Sequence, residues 1–486
     1  LFAQKWVSPE VHMPDRRTLS GPVLTWEVKR VDERTAERVQ GKLSFQQSDG
    51  WKSIVKKPLL GLMMTVEGEV TLVKTRDMSG LPKTGDKLLE IVKEDDLEVE
   101  KRFGVVKTGH CTDDGPDGKK MRRLASAIWP DRIFVLCWAH QNECIVKDIA
   151  KASPIHRQAI KEATDLVKYV NHHDIVKFTF CAETRTQFNG KTWALTLPGD
   201  TRWTSIYLCT ARLFMLRDPI EVIFIRNRRE WVKQIGQNDT ATSVERACSL
   251  AVTDSFWVLV KGLRDVFELF AIATHIYQAP SATLCHVLTT LGTLHHAFSH
   301  EHNPSWHERG LSLYIYTVFI NPWLRADIFA GGVITRITLF QIADRLCRRF
   351  YGNIEMDTKF VRAFDNYYQR QGEFADGVGG MNLALFGQAY RTANVRSLDV
   401  NLTKIWQNHL QEGSTLRDFV DGRNRFVMLA IRLLSVVPNS AACERQFSAF
   451  GRTHTKLRNQ LNEQTMHKTA VLKNEIMREH TALGIA

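Results

Sequence analysis

The amino-acid sequence predicts an α/β protein in which a mixed five-stranded sheet with helices is interrupted by a large all-α insertion. Three observations predict it. Three strand-like runs follow one another before residue 77; helical and strand-like segments then alternate up to about residue 150; and from about 155 to 430 the apolar residues recur with helical spacing. At roughly 150 residues per domain, 486 residues suggest about three domains, or one catalytic domain carrying a large insertion.

Residues 41 to 49 alternate, with Leu43, Phe45, Gln47 and Asp49 on one face, and Gly50 is expected to break the run, leaving Asp49 at the C-terminal end of the strand. Residues 58 to 66 (PLLGLMMTV) and 69 to 76 (EVTLVKTR) are the next two strands, joined by Glu67-Gly68, a pair suited to a two-residue hairpin turn. Thr84 to Phe103 reads as a helix, Gly104 to Thr112 as a strand, Pro116 to Ile128 as a helix, Arg132 to Cys137 as a strand and His140 to Ala150 as a helix. Antiparallel hairpins followed by units that require right-handed crossovers are the order of a ribonuclease-H-like core.

Beyond that core, Trp203 to Leu216, Val244 to Ile276, Ser281 to His302, Ile334 to Phe350 and Leu416 to Val436 have helical spacing, and Ser440 to Glu479 is helical again with a break near Gly451. The expected division is an N-terminal linker or helical segment over 1–40, the first part of the core over 40–150, an all-helical insertion domain over 151–430, and a last core helix with the C-terminal region over 431–486.

Lys+Arg 65 against Asp+Glu 53 leaves a net charge of +12, which favours a polyanionic partner. Nine scattered cysteines without any C-x-x-C pair fit a reducing compartment and argue against a disulfide framework or a zinc-finger module. The longest apolar stretch, Leu311 to Leu324, is interrupted by Asn321 and Pro322 and is shorter than the roughly 20 residues of a spanning helix, so no membrane partner is expected. Leu1 to Pro14 lacks an apolar signal-peptide core and an initiator Met, the expectation for a fragment without its true N-terminus.

Three acidic residues carry the chemistry. Asp49 ends the first strand, Asp113 follows the fourth in CTDD, and Glu444 opens a late helix in NSAACERQFSAF. If the first and fourth strands are neighbours, Asp49 and Asp113 lie side by side. Such carboxylates repel one another unless cations sit between them, and two Mg²⁺ ions about 3.5–4 Å apart can activate a nucleophile and stabilise a leaving oxygen. Each acid also has a plainer reading: Asp49 before Gly50 as a turn residue, Asp114 before Gly115-Pro116 as a helix cap with Asp113 the preferred second acid, and Glu444 as a first-turn residue favourable to the dipole of a helix capped by Asn439 or Ser440.

The blocks SDGW (48 to 51), TDDGPDGKKMRRLA (112 to 125), CWAH (137 to 140), TRW (201 to 203) and SAACERQFSAFGRTHTKLRNQL (440 to 461), together with PDRRTLSG (14 to 21) and LVKTRDMSGLPKTGDKL (72 to 88), resemble the transposases of the hAT (hobo/Activator) superfamily. The resemblance implies a D-D-E triad of Asp49, Asp113 and Glu444 holding Mg²⁺ or Mn²⁺, and a C-terminal dimerisation region. It implies DNA cutting at element ends with hairpin formation and strand transfer, a homodimer or higher homo-oligomer acting on transposon ends and target DNA, and a nuclear location. Cys137 and His140 match the family's C-x-x-H motif, where ordering of the active site is favoured over half a zinc site. Arg202 and Trp203 match its R-W pair, whose Trp is implied to stack on a flipped base; from spacing alone a core tryptophan is as good a reading.

Family members usually carry an N-terminal zinc finger of the BED type, and none is found in this sequence. That motivates the competing expectation, a decayed or domesticated derivative that binds nucleic acid and dimerises without cutting. Basic groups at Lys119, Lys120, Arg122 and Arg123, at Arg226, Arg228 and Arg229, and at Arg452, Lys456 and Arg458 are candidates for phosphate contact or for solvated helix faces. On the C-terminal helix Met466, Ala470 and Met477 fall in one sector, read as core from the pattern and as a self-association stripe from the resemblance.

Overall fold

A computed structural model describes residues 14–199, 204–234, 241–298, 308–352, 355–377, 381, 400–411, 421–453 and 462–485. Its contacts group into two compact units, one made of Leu1–Trp138 with Tyr277–Ala486 and the other of Ala139–Ile276.

The first unit opens with helix α1 (Leu24–Val39) and is built on strands β1 (Leu43–Lys52), β2 (Pro58–Val66), β3 (Glu69–Asp77), β4 (Val106–Thr112) and β5 (Ile133–Leu136). They form one sheet in the order β3-β2-β1-β4-β5. The hairpins β1-β2 and β2-β3 are antiparallel, while β1-β4 and β4-β5 are parallel. The predicted Glu67-Gly68 turn forms, and both of its residues take positive φ, 51° and 85°. This matches the right-handed twist of the flanking strands. The crossovers run through α2 (Gly85–Phe103), capped by the Thr84 side chain, and α3 (Pro116–Ile128), which has Pro at its first position.

One expectation about β1 requires correction. Gly50 does not end the strand, which continues to Lys52 in register with Pro58 of β2; only the pairing with β4 stops early, at Gln47 opposite Cys111. Ser44, Gln46, Gln47 and Ser48 are all buried, because helices cover both sides of the sheet and these polar groups bond to one another and to neighbouring strands. The Gln47 amide donates to Thr65 Oγ1 at 2.6 Å, the Gln46 amide to Ser44 Oγ at 3.0 Å, and Ser48 Oγ lies 2.8 Å from His110 Nε2.

Near the C-terminal end of the chain, α4 (Ala441–Thr453) and α5 (Glu463–Leu483) pack on the hairpin side of the sheet. Phe447 and Phe450 of α4, Met466, Ala470 and Val471 of α5, and Val28 and Val31 of α1 form one core with Leu59, Met63 and Leu72. Trp51 stacks on Phe447 at 5.7 Å between ring centroids. Gly61 is required beneath that stack, since a Cβ there would stand 2.9 Å from the Phe447 ring. The helices between Leu284 and Leu434 that belong to this unit close on an aromatic core of Phe319, Phe364, Tyr367, Phe374, Trp406 and Phe426. The buried Trp406 indole donates to the Ile320 carbonyl at 3.0 Å.

The second unit is helical, with Leu166, Val170, Phe180, Leu213, Phe224, Trp231 and Trp257 in its core. The single helix expected over Val244 to Ile276 is two, Ala241–Ala251 and Asp254–Gln278. The reason is local: the buried Trp257 indole donates to the Ala251 carbonyl at 2.9 Å, satisfying a group that a continuing helix would bond itself.

Phe447→Ala removes the ring on which Trp51 stacks and is expected to destabilise the fold by about 3–5 kcal/mol, read as a lower denaturation midpoint in urea with an unchanged slope.

Candidate catalytic site

Asp49 stands on β1 opposite Gly61, two residues past the last β1-β4 pair. Asp113 follows the last residue of β4, and Glu444 lies in the first turn of α4. The structure therefore brings together three acids spread over most of the chain. The negative charges of Asp113 and Glu444 both act on Asp49.

The segment before α4 is fastened to the ends of the parallel strands. The Trp138 N–H donates to the Pro438 carbonyl at 3.0 Å, and the Cys137 N–H extends the ladder to the Thr112 carbonyl at 2.9 Å. The Ser440 N–H meets Cys137 Sγ at 3.4 Å, while Ser440 Oγ donates to Asp113 Oδ1 at 3.2 Å. Asn439, one of the two expected caps, accepts the Ala441 N–H at 3.0 Å, so Ser440 is left to hold Asp113. One turn on, the buried Cys443 thiol points to the Gln47 and Gly61 carbonyls, 3.5 and 3.8 Å away, which sets α4 against β1 and β2 at the level of Asp49.

Asp114 has a different task. It was expected as a helix cap, yet Gly115 occupies the cap position without a side-chain bond, and Asp114 instead pairs with Arg122. The same guanidinium donates to the Thr112 carbonyl at 3.1 Å, Thr112 Oγ1 at 2.6 Å and the Asp113 carbonyl at 2.7 Å. Arg122 is buried, so it is spent on shaping the end of β4 and is removed from the basic groups expected to meet phosphate. Lys120 pairs with Asp86, and Arg226 with Glu183. Gly118 permits this closeness of α3 to the strand end, because a Cβ there would lie 2.4 Å from the Asp113 carbonyl oxygen.

Burial, the charge of Asp113 and, to a smaller extent, the charge of Glu444 push the Asp49 carboxyl up to about 8, against the pull of the Gly50 N–H that bonds it at 2.7 Å. Next to it, burial together with Lys107 and Arg122 lowers His110 to about 3. The imidazole is therefore neutral and adds no positive charge to balance the acids. Sequence reasoning missed Ser440, Ser48 and His110 as neighbours of the site. The buried polar run S-F-Q-Q-S in β1 was the available signal.

Cys137 is buried at the end of β5 under Ser440, and burial and a contact with Cys137 raise the neighbouring Cys111 thiol. His140 lies on the helix Trp138–Ala152. Arg202 and Trp203, and Lys456 and Arg458 of the basic groups, lie outside the described residues.

An all-carboxylate donor set suits a hard divalent cation such as Mg²⁺ or Mn²⁺, and the upward push on Asp49, from burial first and then from the charge of Asp113, is one that a bound cation would oppose. Among the described residues, no group of three or more His, Cys, Asp or Glu side chains is drawn together tightly enough to hold a metal ion as placed. The donor chemistry fits, and side-chain closure is left to binding.

Residues 425–476 match the family model of the hAT family C-terminal dimerisation region. In this C-terminal segment the chain is similar to hAT-family transposases. The matched segment takes in most of the helix Gly422–Leu434, all of α4 with Glu444, and two thirds of α5, so the hAT region contributes one of the three acids. No curated protein sequence matches this chain.

The raised Asp49 gives a prediction with a definite sign. A carboxyl held above its unfolded value of 3.8 binds more protons when folded, so stability falls as pH rises from about 4 to about 8. Asp49→Asn should therefore raise the unfolding temperature of the metal-free protein at pH 8 and leave it unchanged at pH 4, by thermal denaturation in chelator. Gly118→Ala should lower it at both, by about 1–3 kcal/mol of overpacking.

Proposed function

We propose that this protein is a hAT-family DNA transposase with a ribonuclease-H-like catalytic core, in which Asp49, Asp113 and Glu444 hold Mg²⁺ or Mn²⁺. The observation that carries the reading is that Asp49 stands just past the end of the β1-β4 pairing and Asp113 just past β4, while α4 returns Glu444 to act on the Asp49 carboxylate. The sheet order 3-2-1-4-5 with an antiparallel hairpin half and a parallel half supports the ribonuclease-H-like assignment.

Bound divalent cations would supply activation of water or a 3′-hydroxyl and stabilisation of the leaving oxygen. The chain's own residues do the rest. Ser440 fixes one Asp113 oxygen, Arg122 holds the β4 end rigid from behind, and the Gly50 N–H orients Asp49. Cutting at element ends, hairpin formation and strand transfer follow from the resemblance to hAT transposases, as do DNA as partner, a nuclear location, an ordering role for Cys137 and His140, and base stacking by Trp203 beside Arg202.

The dimerisation region supports a homodimer. The self-association stripe anticipated on α5 divides in two, however. Met466 and Ala470 are buried in the core of their own chain, whereas Ile476 and Met477 are 41% and 49% exposed. The outer residues are the ones available to a second copy.

A non-catalytic DNA-binding dimer is the second reading, favoured by the absence, among the described residues, of donors already converged on a metal. Cutting of element-end DNA with Mn²⁺ separates the two. Wild type should cut, Glu444→Ala and Asp113→Asn should lose cutting by more than about 100-fold, and Ser440→Ala by about 10–100-fold as a positioning residue; Asp114→Asn should act mainly on stability. Equal cutting by wild type and Glu444→Ala at normal folding rejects the triad. Light scattering of Ile476→Asp/Met477→Asp should report a monomer where wild type reports a dimer.

A further inference from the structure

We infer that the tip of the β1-β2 hairpin, Lys52 to Lys56, is a DNA-contacting wedge that engages the duplex beside the reacting phosphate; the inference rests on the proposed catalytic site for its location. Lys56 donates its N–H to the Ser53 carbonyl at 2.9 Å, which closes a turn with Ile54 and Val55 at its two central positions. The Ser53 N–H bonds the Lys57 carbonyl at 2.9 Å, and the Lys57 N–H bonds Ser53 Oγ at 3.1 Å. The tip is thus an ordered hairpin end.

Its residues contradict what such a turn prefers. Central turn positions favour Gly, Asn, Asp and Ser, and β-branched apolar residues belong inside strands. Here Ile54 and Val55 are 41% and 46% exposed. Lys56 takes φ 64°, a left-handed conformation ordinarily given to Gly or Asn. Three local preferences are set aside at one exposed point, the pattern expected where function opposes stability.

The charge around the point selects the occupant. Lys57 is drawn back to Asp77 and Glu463, whereas Lys52 and Lys56 are exposed on either side of the apolar pair. An apolar tip between two lysines is complementary to a base step flanked by phosphates, and apolar side chains that unstack a step are an established means of bending a duplex. The strand places the tip close to the acids. Ile54 is five residues beyond Asp49, at most about 17 Å at roughly 3.3 Å per residue, or about five base steps at 3.4 Å. Behind the tip, Trp51 is clamped on Phe447 of α4, three residues past Glu444, so the wedge and the catalytic helix share one rigid support.

The test uses the full chain, a fluorescein-labelled DNA duplex, and the same duplex with a short mismatched bubble. Lys56→Gly should raise the unfolding temperature while weakening duplex binding several-fold and reducing the salt slope by about 0.9. Ile54→Ser/Val55→Asn should keep the wild-type salt slope and lose the tighter binding of the bubbled duplex. If the tip is only a turn, Lys56→Gly raises stability and both variants bind both probes as wild type does, which overturns the inference; a lower unfolding temperature for Lys56→Gly overturns it as well. Cutting assays with Mn²⁺ run in parallel separate the two claims. Wild type that cuts with tip-independent binding rejects the wedge alone, and tip-dependent binding without cutting rejects the catalytic reading alone.

Discussion

Carboxylates gathered at one end of a sheet repel one another, and the arrangement around Asp49, Asp113 and Glu444 is organised to hold them there. The decisive fastening is Ser440. Its N–H is set on Cys137 at the end of β5 and its hydroxyl on Asp113 at the end of β4, so the residue that precedes α4 also spans the two parallel strands. That link joins the Trp138 N–H to Pro438 carbonyl bond in fixing the start of α4 against the strand ends. With it, Glu444 is delivered to the sheet end, and Cys443 reaches the carbonyls of β1 and β2.

The opposite side of the site is held by Arg122, which takes two carbonyls, a hydroxyl and a carboxylate with one guanidinium. Breaking such a buried set leaves charge and carbonyl groups unpaired, which costs far more than the set contributes when intact. The two adjacent aspartates are thereby separated in role: Asp114 neutralises Arg122, and Asp113 faces Ser440 and Asp49. A cluster of basic residues in α3 that looks like a phosphate surface in the sequence thus contains one residue with a wholly internal purpose.

Rigidity at the site contrasts with the electrostatic strain it carries. Polar groups of β1 form hydrogen bonds within the sheet, and burial together with Lys107 and Arg122 keeps the His110 imidazole neutral. Burial first, and then the charge of Asp113, push the Asp49 carboxyl to about 8. A divalent cation held there, as proposed, would offset that penalty. The hairpin beyond Asp49 extends the same support outward through Trp51 and Phe447.

The order of strands and helices up to residue 152 and the turn at Glu67-Gly68 were legible in the sequence because each rests on local periodicity or local turn chemistry. What the sequence did not determine depended on contacts between distant segments. Whether a polar residue of β1 is exposed is decided by the helices that cover it, and whether Gly50 ends the strand is decided by the partner strand, which pairs through Lys52. Asp113 and Asp114 are equivalent neighbours until Ser440 and Arg122, 327 and 8 positions away, choose between them. The stripe on α5 was visible, but only packing against α1 and β3 decided that Met466 and Ala470 face their own core while Ile476 and Met477 do not. Backbone preference is set by a residue and its near neighbours, whereas burial, charge balance and the pairing of a side chain are properties of the assembled surface, and these are what tertiary structure alone supplies.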